Sequence, residues 1–175
     1  MTAHQHPVPS RPAADEARFR QTGWPGLRGR LFHLYFLLRR PMTFGVRGVV
    51  HDEARGAVFL IRHTYVPGWQ LPGGGVETGE TALEALEREL AEEGNIELTG
   101  APRLVSMHFN RRASRRDHVA LYLVTAYAQR APKLPDREIA EAGFFPLDAL
   151  PADTTPATLR RLDELFSGAP ASPYW

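Results

Sequence analysis

The chain has 175 residues, of which 43% are hydrophobic and 23% charged, a length and mix that suit one domain with a single core and short appendages. Its formal net charge of +1 offers no global attraction to nucleic acid or to a membrane surface. With no cysteine, disulfides, thiolate metal sites and cysteine nucleophiles are excluded outright.

Residues 1–25 carry Pro7, Pro9, Pro12 and Pro25 among small and polar side chains and read as a flexible tail. They lack the apolar core of a signal peptide, so a cytoplasmic location is expected. Residues 26–41 read as an N-terminal helix, LRGRLFHLYFLLRR, stopped by Pro41. Phe32, Tyr35 and Phe36 share one face of it, and the apolar run Leu31 to Leu38 is too short to cross a bilayer. That face is expected to pack on the domain. A homodimer is the second option. A membrane contact through Arg28, Arg30, Arg39 and Arg40 is not favoured.

Residues 42–168 form the expected catalytic domain, and 169–175 a C-terminal tail. Within the domain, 43–51 and 57–63 are apolar and β-rich, separated by a short turn, and should pair as a hairpin. VPGWQLPGGGVETGE is a loop dense in glycine and proline, and a helix follows from Glu80 to about Glu93. Residues 104–110 and 118–128 are further strands, EAGFFPL a short one, and Thr155 to Phe166 a closing amphipathic helix with a Thr-Pro start. This order predicts an α/β fold with a mixed sheet.

The first domain helix is unusual in its charges. Leu83, Leu86 and Leu90 fall on one stripe that should face the sheet, with Ala82 and Ala85 beside it nearer the surface. Glu89, Glu92 and Glu93 converge next to that stripe at i, i+3 and i+4 spacing. Like charges so spaced cost roughly 0.2–0.5 kcal/mol per pair. Glu92 and Glu93 also sit in the last turn, where the helix dipole opposes an anion by about 0.3–1 kcal/mol. A solvated acidic face and a cation site both explain the cluster. Clustered carboxylates are hard oxygen ligands that suit Mg²⁺ or Mn²⁺. The run Gly73-Gly74-Gly75 just before the helix favours the cation, because backbone without side chains can approach a ligand closely.

Gly74, five residues, Glu80, seven residues, then Arg88-Glu89-Leu90-Ala91-Glu92-Glu93-Gly94-Asn95-Ile96 resembles the Nudix box at every specified position but one. Asn95 stands where the family has glycine. That position ends the helix in a left-handed conformation, for which Asn ranks second to Gly. The flanking WQLPGG and GFFPLDALP are also similar to Nudix context. The resemblance implies a Nudix-like α/β/α sandwich with a mixed sheet, preceded here by the helical extension.

It also implies hydrolysis of a pyrophosphate bond in a nucleoside diphosphate linked to another moiety, with Mg²⁺ (or Mn²⁺) as cofactor. Glu89 and Glu93 would be the principal metal ligands, Glu92 an additional one, and the carbonyl of Gly73 or Gly74 would complete the set. Arg88 would orient the glutamates, and Glu80 would hold the loop against the helix. The general base varies across the family. Glu138 or Glu141 could supply it, with Glu138 preferred for its distance from the Phe144-Phe145 pair.

Substrate contacts lie outside the box. Arg111, Arg112, Arg115 and Arg116 form a basic cluster between two strands, suited to bidentate phosphate binding. Arg47, Tyr65 and Trp69 are further substrate-binding candidates, the aromatic pair for stacking on a base, while His63, His108 and Asn110 are weaker. No histidine pair has zinc-ligand spacing. The marks of ADP-ribose, dinucleoside-polyphosphate and NADH hydrolases are missing from residues 103–116 and beyond. A small-molecule nucleotide is the expected partner. Nucleic acid is not, although the basic loop leaves an RNA end open. An isopentenyl diphosphate isomerase would resemble enzymes with a catalytic cysteine, which is absent. The alternative is a non-catalytic nucleotide- or RNA-binding module of the same fold, which retention of all three box carboxylates argues against.

Overall fold

The computed structural model describes residues 42–175. The expected flexible tail and N-terminal helix lie outside the described residues. Eight strands and two helices follow in order: β1 (Thr43–Asp52), β2 (Ala57–His63), β3 (Trp69–Gln70), α1 (Ala82–Gly94), β4 (Ile96–Leu98), β5 (Arg103–Phe109), β6 (Asp117–Val124), β7 (Tyr127–Gln129), β8 (Ile139–Pro146) and α2 (Pro156–Phe166). The main sheet runs β3-β2-β1-β6-β5, with β8 on the other edge of β2, while β4 and β7 form a separate ladder.

Alternation along the strands explains the layering. On β1, Val46 and Val50 face one core and Val49 the other. On β2, Phe59 and Ile61 share the first face, and Val58 and Leu60 the second. Strands buried on both faces require a cover on each. Helix α1 covers the first through Ala85, Leu86 and Leu90, and α2 the second through Leu162 and Leu165. The result is the expected α/β/α sandwich. Helix α1 lies tight on β1: a Cβ at Gly48 would stand 3.1 Å from Leu86 Cδ1.

Both helices begin on local signals. Thr81 caps α1 in a full capping box, its hydroxyl accepting from the Glu84 N–H while the Glu84 carboxylate accepts from the Thr81 N–H. Thr155 caps α2 with Pro156 in the first turn.

Four expectations change. The β1–β2 hairpin is confined to His51↔Val58 and Asp52↔Ala57, whereas Thr43 to Val50 pair in parallel with Asp117 to Val124 of β6. The cause is the glycine loop, which occupies the other edge of β1. Val46 N–H donates to Gly74 O, Gly48 N–H to Pro72 O, and Val76 N–H to Phe44 O. The single strand expected over 118–128 breaks into β6 and β7, which belong to different sheets. On α1, Leu83 is 40% exposed and Ala85 fully buried, because the face turned to the sheet runs through 85, 86, 90 and 93. The C-terminal residues are docked: Phe109 N–H donates to Pro173 O and Trp175 N–H to Phe109 O, extending the edge of β5.

Candidate functional site

The glycine strap is the foundation of the site. Gly73 has a φ of +134°, and a Cβ there would overlap the backbone of Val46 and Arg47. A Cβ at Gly74 would overlap the Glu89 carboxylate. Gly73 must therefore lack a side chain for the strap to lie on β1, and Gly74 lets the strap approach the Glu89 carboxylate. Gly73 N–H donates to Glu93 Oε2 at 2.6 Å.

Arg88 ties the strap to the helix. Its Nε donates to Glu80 Oε1 at 2.9 Å, its Nη1 to Glu89 Oε1 at 2.7 Å, and its Nη2 to Gly75 O and Glu80 Oε2. Glu92 stands 3.5 Å from Nη1, with its side chain 63% exposed. Glu80 also accepts from the Glu77 N–H. These bonds hold the Glu80 carboxyl below its usual range, Arg88 first among the causes, and they raise the Arg88 guanidinium above its own.

Glu93 is different. It continues the buried stripe of α1 seven residues after Leu86. Burial pushes its carboxyl up to about 7; the Gly73 N–H and Arg47 oppose the shift, while Glu89 and Glu138 add to it. His63, at the end of β2, places Nε2 3.5 Å from Glu93 Oε1, and burial holds its imidazole below the usual range. Arg47 donates to Leu71 O at 2.8 Å. Burial pulls its guanidinium down against the pull of Glu93 and Glu89. Sequence reasoning rated His63 weakly because its link to Glu93 runs from β2 to α1, a contact no spacing records.

Glu89, Glu92, Glu93 and Glu138 line one open cleft of about 640 Å³. Glu138 is held there by Asp136, whose carboxylate accepts from the Ile139 and Glu138 N–H groups and pairs with Lys133. Those bonds, the Ile139 N–H first, keep Asp136 well below the carboxylate range. Asp136 was missed from the sequence, although an Asx turn ahead of a strand is a legible signal. Glu141 takes no part in the cleft. It sits opposite Arg62 in the β2–β8 ladder and pairs with it at 2.6 Å.

Asn95 adopts the left-handed conformation, φ 52° and ψ 35°, as the helix cap. Its side-chain amide donates to Pro132 O at 3.3 Å, a tie to the Glu138 loop that glycine would lack.

The substrate candidates separate. Trp69 is buried in the second core, edge-on to Phe145 at 4.6 Å, and offers no face to a base, because β3 pairs inward with β2. Tyr65 is 68% exposed, its ring 5.1 Å from His63. Arg47 and Asn110 line a second cleft of about 200 Å³ with Gly74, Gly75, Asp117 and Trp175. Arg111 and Arg112 line a third with Arg160, Tyr174 and Trp175, whereas Arg115 and Arg116 stay outside it. His108 is buried beneath the C-terminal segment.

The donor set fits a hard divalent cation: three neighbouring carboxylates, one buried and crowded by like charge, beside a strap whose Gly73 and Gly74 leave no room for a Cβ. As they stand, the side chains satisfy one another through Arg88 and Gly73, and among the described residues no three acidic or imidazole groups are gathered to hold an ion. The carbonyl of Gly74 is engaged by the Val46 N–H, which favours Gly73 as the backbone donor.

A mixed sheet lies between two helices, and the carboxylate-bearing helix sits under a glycine strap. A model of the NUDIX domain matches residues 41–166, and the chain belongs to that family. It is 41% identical over 76 residues to an RNA pyrophosphohydrolase of Xanthomonas campestris pv. campestris, the match covering 40% of this chain and 37% of the relative. It is 45% identical over 49 residues to an RNA pyrophosphohydrolase of Stenotrophomonas maltophilia, covering 28% and 24%. The chain thus spans little more than a third of the length of the first of these relatives. Among solved structures, a MutT NUDIX hydrolase from Burkholderia pseudomallei shares the fold at TM-score 0.60 and 27% identity, covering 70% of this chain and 97% of that one. A NUDIX hydrolase from Nitrosomonas europaea has the same TM-score at 18% identity, covering 73% and 90%, a likeness of fold alone.

Proposed function

We propose that this chain hydrolyses a pyrophosphate bond in a nucleoside diphosphate linked to another moiety, with Mg²⁺ or Mn²⁺ bound by Glu89, Glu92, Glu93 and the Gly73 carbonyl. The observation that carries the reading is Glu93: a buried carboxyl on the core stripe of α1, bonded to the strap and crowded by Glu89 and Glu138. Burying an acid there destabilises the fold unless a positive charge joins it.

Bound divalent metal would neutralise the diphosphate oxygens and lower the pKa of a water. The chain's own groups do the rest. Arg88 fixes the direction of the Glu89 carboxylate, and Glu80 fixes Arg88. Glu138, set by the Asp136 turn on the far wall of the cleft, accepts the proton of the attacking water. Arg47, half-buried and within electrostatic reach of Glu93, orients phosphate oxygens, and exposed Tyr65, beside His63, offers a ring to a base. The substrate class includes nucleotides and, since the relatives are RNA pyrophosphohydrolases, an RNA.

The test is a screen with Mg²⁺ and with Mn²⁺, the nucleotide and phosphomonoester products resolved by anion-exchange chromatography, over nucleoside triphosphates, ADP-ribose, dinucleoside polyphosphates, NADH, nucleotide sugars and a 5′-triphosphorylated RNA. At least one substrate should be turned over, and Glu93→Gln should lower kcat by about 10²-fold or more. Absence of turnover, or a fully active Glu93→Gln, overturns the reading.

A further inference from the structure

The C-terminal segment is built into the molecule by a buried arginine. Arg161 of α2 is fully buried, donates from Nη1 to Tyr174 O at 2.9 Å, and pairs through Nη2 with Glu164. Glu164 in turn accepts from the Ser172 N–H at 2.9 Å. With the two backbone bonds to Phe109, these contacts set the Trp175 indole against His108, ring centroids 5.6 Å apart, and beneath the Arg161 guanidinium.

Trp175 thereby becomes the wall between two clefts. On one side lie Arg47, Gly74 and Asn110, contiguous with the strap and the box. On the other lie Arg111, Arg112 and Arg160, with Tyr174 at the mouth and the Arg111 guanidinium 4.7 Å from its ring centroid. Asn110 and Arg111 are consecutive, so the two clefts adjoin along one turn of chain. Packing alone accounts for Trp175 and Arg161. It does not account for the three arginines, none of which has a carboxylate partner among the described residues. Gathering like charges around a concave surface raises the local potential and selects an anion.

We propose that Arg111, Arg112 and Arg160 form a subsite for a phosphate lying beyond the nucleoside. The nucleoside itself rests in the cleft between Trp175 and Arg47. The proposal rests on the box as the seat of the diphosphate and extends the substrate outward from it. Arginine forks suit such a phosphate, and Tyr174 holds one fork in place by cation–π contact. The phosphate can arrive as a 3′-phosphodiester of a nucleotide chain or as a phosphomonoester on the 3′ oxygen of the same ribose. The chemistry recognised is the same.

Binding to the full chain separates these cases without requiring turnover. Three Mg²⁺-loaded probes are titrated calorimetrically: adenosine 5′-(β,γ-imido)triphosphate, the same molecule extended at its 3′ oxygen by a second nucleotide, and the same molecule carrying a 3′-phosphate. At least one extended probe should bind about tenfold more tightly than the unextended one. In Arg111→Ala/Arg160→Ala that advantage should vanish while the unextended probe binds as before, and the salt dependence should shallow. The arm that gains affinity identifies the source of the phosphate. Equal affinity for all three probes in the unaltered protein, or an advantage that survives in the double variant, overturns the subsite. A protein that shows the binding pattern but hydrolyses nothing overturns the proposed activity and leaves the subsite standing.

Discussion

Glu93 shows how one residue couples stability to chemistry. Its folded carboxyl is pushed up to about 7 from an ordinary 4.5, mainly by burial, so the folded chain keeps a proton that the unfolded chain releases. The stability linked to that proton is complete below pH 4.5 and is lost as pH rises through 7, on the order of 3 kcal/mol at most. Glu93→Gln removes the penalty. In metal-free buffer at pH 8, urea titration should find it at least as stable as the unaltered chain, although the proposed function expects it to lose activity. A clear loss of stability would mean that the Gly73 contact outweighs the buried charge. Asn95 supplies a second case at this scale. Asn95→Gly should ease the left-handed cap and forfeit the bond to Pro132, two effects of about 1 kcal/mol and opposite sign. A Tm change beyond a few degrees would refute that balance.

At the scale of elements, the glycine strap and α1 act as one unit joined by Arg88 and Glu93. The β8 entry turn is the third part, because Asp136 carries Glu138 to the cleft. Asp136→Ala should lower kcat about tenfold or more while substrate KM changes little, if the loop holds the proposed proton acceptor, Glu138, and not the phosphate chain. Equal loss in kcat and stability would reduce Asp136 to a turn former. Much of α1 was legible: Leu86, Leu90 and the three glutamates lie within one helix, where 100° per residue sets their directions, whereas the cap at Thr81 and the outward turn of Leu83 were not. The strap's pairing with β1 was not, because glycines lack the alternation that marks a strand and their partner, β1, lies more than twenty residues earlier.

For the molecule as a whole, the sandwich places its two helices over different cores, and the C-terminal segment closes the second. His108 lies at that closure. Its Nδ1 is 2.7 Å from Arg161 Nη1 and 2.8 Å from Ser172 O, its Nε2 is 2.7 Å from Ser106 Oγ, and Glu164 lies beyond Arg161. Burial, then the Arg161 charge, holds its imidazole below the usual 6.5. The unfolded chain therefore takes up a proton that the folded chain refuses. The stability so gained is complete above pH 6.5 and is lost as pH falls below it, at a slope of at most about 1.4 kcal/mol per pH unit. Tm measured from pH 7.5 to 5.5 should fall less steeply in His108→Gln. Parallel curves would show that the closure is indifferent to His108.

The sequence by itself determined what is local. It set the spacing of Gly74, Glu80, Arg88, Glu89, Glu92 and Glu93, the Thr-Pro start at Thr155, the left-handed Asn95, and the α/β class. Each depends on residues within a turn or a helix, where spacing is geometry. Tertiary structure alone decided which distant groups meet those carboxylates. Strand order brought Arg47 and His63 to Glu93 and Glu138 to the facing wall, buried Trp69 beside Phe145, and seated Trp175 against β5. Such meetings depend on which strand lies beside which, and a side chain's own neighbours in sequence carry no record of a partner across the sheet.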